Sequence, residues 1–594
     1  MSYLNSQIQT DVLVVGAGPV GLTAACGLAG HGMRVRIIDR KPEPSIHSKA
    51  LGVHARTLEL FEKIGITEPL LAAGVRVKGL NVYDGKRRLA RIAVSPLDTP
   101  YPFVLSVPQS QTERILATAL RQYGVQVDWR TTFEGLSSGP ESVVAHLRLP
   151  RGQQADCRSA WLIGCDGADS TVRHALNLSF SGRRFPEWFA LADVTIDRAS
   201  FEREPELAAC EARVFFSPYG LLLMIPLQAR RQFRIVLTLP EQAIETEPHL
   251  DLALFQRALN DRASLDLSLS DAPWISAFRI HRRIVSDYRW GRVFFAGDAA
   301  HVHSPVGAQG MNLGIHDAFN LAWKLALVHK RSGRSELLDS YEAERKPAGQ
   351  LTLSATGLAT LLVTLRSRPA RRLRNALISL LAHFEFIRRR FVRTATMIGR
   401  SYRHSSIVAE GQPSLVKSVL NTLMGRRPGA RQRRLFLGGP RAGERAPDAM
   451  LQNHDGGSCR IFELLHRENH VLLGFTGRNP TKDELHCLRS LIAEVIQRYP
   501  DLIAAFLIVQ DKTNSKVEQP CRLIADRTGD AHRRYGADGP CIYLLRPDGY
   551  IGWRGMTAAG APLLMKYLGK YYLPTPRRNR ASSLVLKAGK RSSV

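Results

Sequence analysis

Short runs of consecutive apolar residues alternate along this chain with stretches in which apolar positions recur every three or four residues. The runs at 11–15, 35–38 and 293–296, and the one ending at Asp166, are too short for helices and read as buried strands. After residue 15, Gly16-Ala17-Gly18-Pro19-Val20-Gly21 opens a helix. Its Leu22, Ala25, Cys26, Leu28 and Ala29 recur at helical spacing, and it stops at Gly30-His31-Gly32. After residue 296, Gly297-Asp298 and a turn containing Pro305, Gly307 and Gly310 lead into a second helix. Ile315, Ala318, Phe319, Ala322 and Leu325 give it one apolar face to lay on a sheet. Between 180 and 285 the pattern changes to short β-type runs at 189–196, 214–216, 221–225 and 234–239, separated by polar turns, which predicts an inserted sheet.

The glycines after residue 15 have separable jobs. Gly16 permits the tight turn, Gly18 lets backbone approach a pyrophosphate at the helix N-terminus, and Gly21 allows close helix–strand packing. Asp39 ends the next strand about twenty residues on, where a carboxylate accepts hydrogen bonds from an adenosine ribose. At the second strand–turn–helix, Asp298 follows Gly297 at the strand end, while the turn leaves backbone N–H groups at the helix start. One end grips hydroxyls and the other stabilises negative charge. A polyol joined to a ring that becomes anionic on reduction uses both, which is the chemistry of FAD. The alternative, a strand–turn–helix without a ligand, is disfavoured by the length and turn specificity of both patterns.

Gly297-Asp298-Ala299-Ala300-His301, Pro305, Gly310-Met311-Asn312 and the run DAFNLAWKL from Asp317 to Leu325 resemble the flavin signature of the single-component FAD-dependent aromatic hydroxylases, the class A flavoprotein monooxygenases. The branch is that of 3-(3-hydroxyphenyl)propionate and pentachlorophenol hydroxylases, and the resemblance runs from about Asp11 to Trp553. It implies that Asp298 binds the ribityl chain and that the backbone of Gly310, Met311 and Asn312 faces the flavin pyrimidine edge. Gln109, with Glu113 and Leu116, matches a helix whose glutamine contacts the flavin chain; a surface amide is the alternative. Lys49 stands where many relatives carry arginine, near flavin or nicotinamide phosphates, and a solvated lysine fits almost as well. Leu51 replaces an aspartate of the phenol hydroxylases, so the acid–base role given to that aspartate does not carry over. Asp166, with Gly167, Asp169, Ser170 and Arg173, matches a second fingerprint associated with the FAD pyrophosphate and NAD(P)H, although Ser170 itself reads as a helix N-cap. Pro19 and Arg40 complete the candidate cofactor residues.

The implied activity is insertion of one atom of O2 into an aromatic substrate, phenolic or polycyclic, with NAD(P)H consumed and a flavin C4a-hydroperoxide as the oxygen donor. No Ser/His/Asp or paired-carboxylate constellation stands out, so no catalytic side chain is assigned, and no metal spacing is found. The alternatives are a FAD-binding oxidoreductase of another reaction type or a non-catalytic flavin-bearing interaction protein. The Trp-x-Trp-x-Ile-Pro motif of flavin halogenases is absent. Phe215, Tyr219, Leu223 and Met224 are candidates for the substrate wall, with simple core as the other reading.

Composition changes the picture only through charge. The 594 residues carry a net charge of +29, and from Arg366 to Arg434 seventeen Lys or Arg face two Glu. There the basic clusters alternate with apolar positions, predicting one or two amphipathic helices. Membrane-surface or nucleic-acid contact is one reading; a solvated basic helix pair joining two domains is favoured, and no specific nucleic-acid binding is expected. The eight cysteines show no CxxC, so thiol–disulfide exchange lacks its resolving pair. No signal-like start or long apolar stretch is seen, and the expectation is a soluble cytoplasmic protein, with a homodimer possible. The predicted architecture is α/β: a Rossmann-like FAD-binding domain in two parts (1–180 and 286–360), an inserted β-sheet substrate domain (181–285), a basic helical linker (361–434), a C-terminal thioredoxin-like domain (435–573) and a disordered basic tail (574–594).

Overall fold

The computed structural model describes residues 8–45, 48, 50–95, 97–239, 250–304, 307–365, 367–411, 436, 438–453, 456–465, 469–510 and 522–574. Lys49, Pro305, the linker from 412 to 435 and the tail from 575 lie outside the described residues.

Among the described residues there are three eight-stranded sheets and one three-stranded sheet. In the first, Val293–Phe295, Gln154–Gly164, Ile8–Val15, Val35–Asp39 and Val127–Trp129 lie side by side and parallel. Val12, Leu13, Val14, Ile37, Ile163 and Phe294 are wholly buried, as central parallel strands covered on both faces must be. The register sets Val15 opposite both Gly164 and Ile38, and Gly164 opposite Phe295. Four strands that are remote in sequence therefore end in one row. The helices Pro19–Gly30 and Gly310–His329 pack together so closely that a Cβ on Gly27 would sit 3.0 Å from that of Ala322.

The second sheet runs in the order His301–Val302, Leu269–Val285, Phe180–Ile196, Gln232–Leu239, Gly220–Pro226, Ala212–Ser217, Gly79–Asp84, Arg87–Ala93. Its last two strands come from the N-terminal part of the chain, and its first belongs to the turn after Asp298. Residues alternate across it with period two. Phe215, Leu222, Met224 and Ile235 pack into one core with Phe255 and Leu259 of the helix Leu252–Ala263. Phe216, Leu221 and Val236 belong to the opposite face. Of the candidates for the wall, Phe215 and Met224 take the other reading and belong to the helix-covered core, while Tyr219 is 67% exposed at the hairpin turn.

The third sheet centres on His470–Phe475, parallel to Ile503–Val509 and antiparallel to Cys541–Leu545. The helix Lys482–Arg498 covers it, started by a capping box in which the Thr481 side chain and Glu484 bond reciprocally. The described cysteines are all free thiols.

The basic segment forms the two predicted helices, Arg368–Leu381 and Glu385–Ala395. In the first helix Arg368 and Arg372 stay in solvent, while Arg371 and Arg374 turn toward the second sheet. Arg374 is buried with its guanidinium 3.9 Å from the Phe216 ring centroid, Asn375 donates to Asp84 at 2.7 Å, and Ser379 donates to the Leu89 carbonyl. The side bearing them meets the second sheet.

Candidate cofactor and substrate site

Because the parallel strands end in register, the turns that follow them share one edge of the sheet, the crevice where open α/β sheets bind ligands. Gly16 has φ +103°, and a Cβ there would lie 2.4 Å from the Cys165 carbonyl oxygen, so only glycine lets the first turn pass the end of the strand Gln154–Gly164. A Cβ on Gly21 would meet the Gly16 oxygen at 1.9 Å. Gly18 differs from both, since nothing lies within 4 Å of where its Cβ would be. The helix behind it starts with Pro19 at its first positions and has neither a side-chain cap nor an acid in its first turn. That is an uncapped, positively polarised N-terminus facing open space, the fit required by a diphosphate.

Asp39 holds two turns at once, accepting from the Ala17 N–H at 2.8 Å through Oδ2 and from the Lys41 N–H at 2.9 Å through Oδ1. Each oxygen keeps a second lone pair for a ribose hydroxyl. Arg40 beside it is exposed. Asp166 Oδ2 accepts from Thr171 Oγ1 at 2.9 Å and the Val172 N–H at 3.2 Å, while its Oδ1 is buried with no partner among the described residues. An orphaned carboxylate oxygen at this edge is a polar group awaiting a ligand donor. Ser170 is the cap the sequence predicts, accepting from the Arg173 N–H at 3.1 Å.

Gly297 turns with φ +63° and donates to Asp317 at 3.1 Å, which leaves Asp298 exposed beyond the wholly buried strand. Gly307 and Ala308 both have positive φ, and the helix from Gly310 again lacks a side-chain cap. Asn312 is wholly buried and works as a clamp: Nδ2 donates to the carbonyls of Gly52 and Ala308, both at 2.8 Å, and Oδ1 accepts from the His54 N–H. Met311 beside it is half-buried. Gln109 Oε1 accepts from the Ala50 N–H at 3.0 Å and its Nε2 donates to Glu113, so this glutamine ties down the loop that carries residues 48–53.

Two histidines that sequence reasoning passed over complete this end. Burial lowers His54 to about 4 although Gly307 and Ala308 carbonyls face its Nε2, and burial lowers His303 to about 4. Both are neutral at pH 7, and His54 Nδ1 and His303 Nε2 are buried without partners among the described residues. The His-Val-His spacing at 301–303 was the available signal. His301 instead joins a charged core: its Nε2 pairs with Asp317 at 2.7 Å, and Asp317 takes Arg345 Nε at 2.6 Å. Burial would raise Asp317, but Arg345 and His301 more than offset it and hold the carboxyl below its usual range. His301–Val302 also pairs with Leu269–Val285, hooking the cofactor turn directly to the second sheet.

Residues 9–356 match the family described as FAD binding domain, and residues 439–570 match that described as aromatic-ring hydroxylase, C-terminal. A 6-methylpretetramide 4-monooxygenase from Streptomyces rimosus is 38% identical over 362 residues, 61% of this chain and 63% of that protein. A pentachlorophenol 4-monooxygenase from Sphingobium chlorophenolicum is 30% identical over 550 residues, 91% of this chain and 93% of that one. Among solved structures, an anhydrotetracycline hydroxylase from Streptomyces rimosus aligns with a TM-score of 0.70 at 27% identity, covering 96% of this chain and 100% of that chain. With a FAD-binding family matched over more than half its length and a hydroxylase relative aligned nearly from end to end, the chain belongs to the FAD-dependent aromatic hydroxylases, a family of flavoprotein monooxygenases.

Proposed function

We propose that this enzyme hydroxylates a hydrophobic phenolic or polycyclic aromatic substrate, with NAD(P)H and O2 consumed and NAD(P)+ and water released. The observation that carries the proposal is the strand His301–Val302, which makes the edge of an apolar-faced sheet continuous with the turn that presents Asp298 and the Gly310 helix start. When bound, FAD supplies the two-electron reduction by nicotinamide and the activation of O2. The chain's own residues supply placement. The Gly18 helix start receives the diphosphate, Asp39 the adenosine ribose, and Asp166 Oδ1 a donor from the diphosphate-to-ribityl stretch. Asp298 takes ribityl hydroxyls, and the Gly310–Asn312 N–H groups face the pyrimidine edge, where the uncapped helix favours negative charge. Lys49 and Pro305, carried by the motif, belong to the same assignment.

The substrate wall is the sheet face on the side away from the helix Leu252–Ala263, bearing Leu221, Leu223 and Val236, which excludes water and offers rings an apolar surface. A polycyclic substrate fits the names of two relatives, one acting on 6-methylpretetramide and one on anhydrotetracycline. No second dinucleotide unit follows the first, so nicotinamide docks transiently, and reduction must wait for substrate if reduced flavin is not to discharge on O2. The test is NAD(P)H oxidation by the FAD-loaded protein with phenols, aryl acids and polycyclic phenols, followed by product analysis under oxygen-18 gas. Stimulated oxidation with label in the product supports the proposal. Equal rates with and without every ligand, or product oxygen drawn from water, would overturn it.

A further inference from the structure

The helix Arg368–Leu381 turns inward a side that carries Arg371, Arg374, Asn375 and Ser379 beside Ile378. Arg371 lies 3.6 Å from Asp84, and Arg374, Asn375 and Ser379 bond to the second sheet or to the Leu362 carbonyl. The residues left outside are Leu373, Leu377, Leu380 and Leu381, 42–62% exposed, followed by Phe384 and Phe386. The leucines' spacing of three and four makes one continuous apolar stripe about 12 Å long on the helix. It does not stand alone. Eleven of the fifteen exposed large hydrophobic side chains among the described residues fall between Leu351 and Phe391. A soluble monomer rarely leaves so many together without a partner.

Charge selects the partner. Residues 367–395 contain eight arginines and a single acid, Glu385, which Arg389 holds at 2.5 Å. Exposed Arg368, Arg372, Arg388, Arg390 and Arg393 flank the leucines. A symmetric contact with a second copy would set this cationic rim against itself, which costs free energy. Nucleic acid would pair with the arginines but leave the four leucines in water, since a phosphate backbone buries little aliphatic surface. A surface that is apolar below and anionic above satisfies both elements, with leucines entering the acyl boundary and guanidiniums spreading to headgroup phosphates. Among the described residues no helix is long and apolar enough to cross a membrane, so the contact is peripheral. We propose that this face docks the enzyme on anionic lipid bilayers. The docking helix lies on Phe216 and on the strand Arg87–Ala93, on the sheet face assigned to the substrate, so a lipophilic substrate partitioned into the bilayer would be concentrated on that side. The proposal stands on the stripe and its arginines and does not require that substrate reading.

Sedimentation of the full-length, FAD-loaded protein with vesicles of phosphatidylcholine alone, or of phosphatidylcholine with phosphatidylglycerol, tests it. Binding should be at least about tenfold stronger to the anionic vesicles and should weaken as salt rises. The triple variant Leu373→Gln, Leu377→Gln, Leu380→Gln should lose about tenfold or more of that binding, with an unchanged flavin spectrum and melting temperature, because these side chains point away from the fold. Absence of a preference for anionic vesicles would overturn the proposal. So would binding that the triple variant leaves intact, or a dimer in solution that the variant converts to monomer. A melting temperature lowered by the variant would also overturn it, since the stripe would then be covered by the chain's own residues.

Discussion

At the cofactor edge the polar groups are mostly backbone: two uncapped helix starts, glycine turns, an exposed Asp298 and an Asp166 oxygen without a partner among the described residues. Where the C-terminal unit docks, the polar groups are mostly side-chain charges paired with one another, although Arg56 Nε and Lys63 Nζ are buried without a partner among the described residues. Glu344 takes Arg546 at 2.6 Å and Lys324 at 2.8 Å, Arg546 also holds Asp548, and Glu59 is clamped between Arg56 and Arg445. All the side chains of the Glu344 cluster are essentially buried. Burial alone would raise the Glu344 carboxyl, but Arg546 and Lys324 drive it well below its usual range, while burial brings Lys324 down to about 8. One region keeps two helix starts and a carboxylate oxygen open for a ligand; the other has closed most of its charges on one another. The first should tolerate substitution and lose cofactor, and the second should lose the fold.

The largest effect follows from breaking the closed region. Glu344→Gln leaves Arg546 and Lys324 as buried cations facing a neutral amide, and the expected loss is about 3–5 kcal/mol in denaturant unfolding. Loss below about 1 kcal/mol would show that the seam is hydrated and the contrast false.

Acid comes next. His54 and His303 have folded values near 4 against 6.5 unfolded. As pH falls below about 6.5 the unfolded chain takes up protons first, so stability drops between pH 6.5 and 4 and then levels on their account, by on the order of 3 kcal/mol each at the limit. Glu344 and Asp317 act with the opposite shift and the same outcome. Their depressed folded values contribute stability above their unfolded values near 4, which is lost as pH falls through the folded ones. Melting temperature against pH should therefore fall in two stages, and Glu344→Gln should weaken only the more acidic one. A flat profile from pH 7 to 4 would contradict the buried neutral histidines.

Asp298→Ala is the mild counterpart. The side chain is exposed, so stability should change by less than about 0.5 kcal/mol, while loss of the ribityl hydrogen bonds proposed for it should weaken FAD binding by roughly tenfold. Flavin titration of the apoprotein measures it.

What could be read from sequence follows the same division. The glycine turns, Asp39, Asp166 and Asp298 lie in motifs a few residues long whose geometry is local, and the structure places them along one sheet edge. The Glu344–Arg546 and Glu59–Arg445 pairs join residues 202 and 386 apart, and no local pattern foretells them. Periodicity located the sheet from 189 to 239 but could not say which parity faced the helix Leu252–Ala263, so it did not separate Phe215 and Met224, which join that core, from Phe216 and Leu221 on the other face. Periodicity likewise marked an amphipathic helix near Arg368, yet which side turns inward depends on Asp84 and Phe216, partners from distant segments.

The most direct test of an open, backbone-built cofactor edge is the Gly18→Ala variant, measured by FAD titration alongside unfolding of the apoprotein. A methyl group there meets no protein atom within 4 Å, so the apoprotein should unfold within about 1 kcal/mol of wild type. The same methyl occupies the approach of the diphosphate, and FAD affinity should fall by about a hundredfold or more, roughly 2.7 kcal/mol. Unchanged FAD affinity with equal stability would contradict the placement of the cofactor at this helix start.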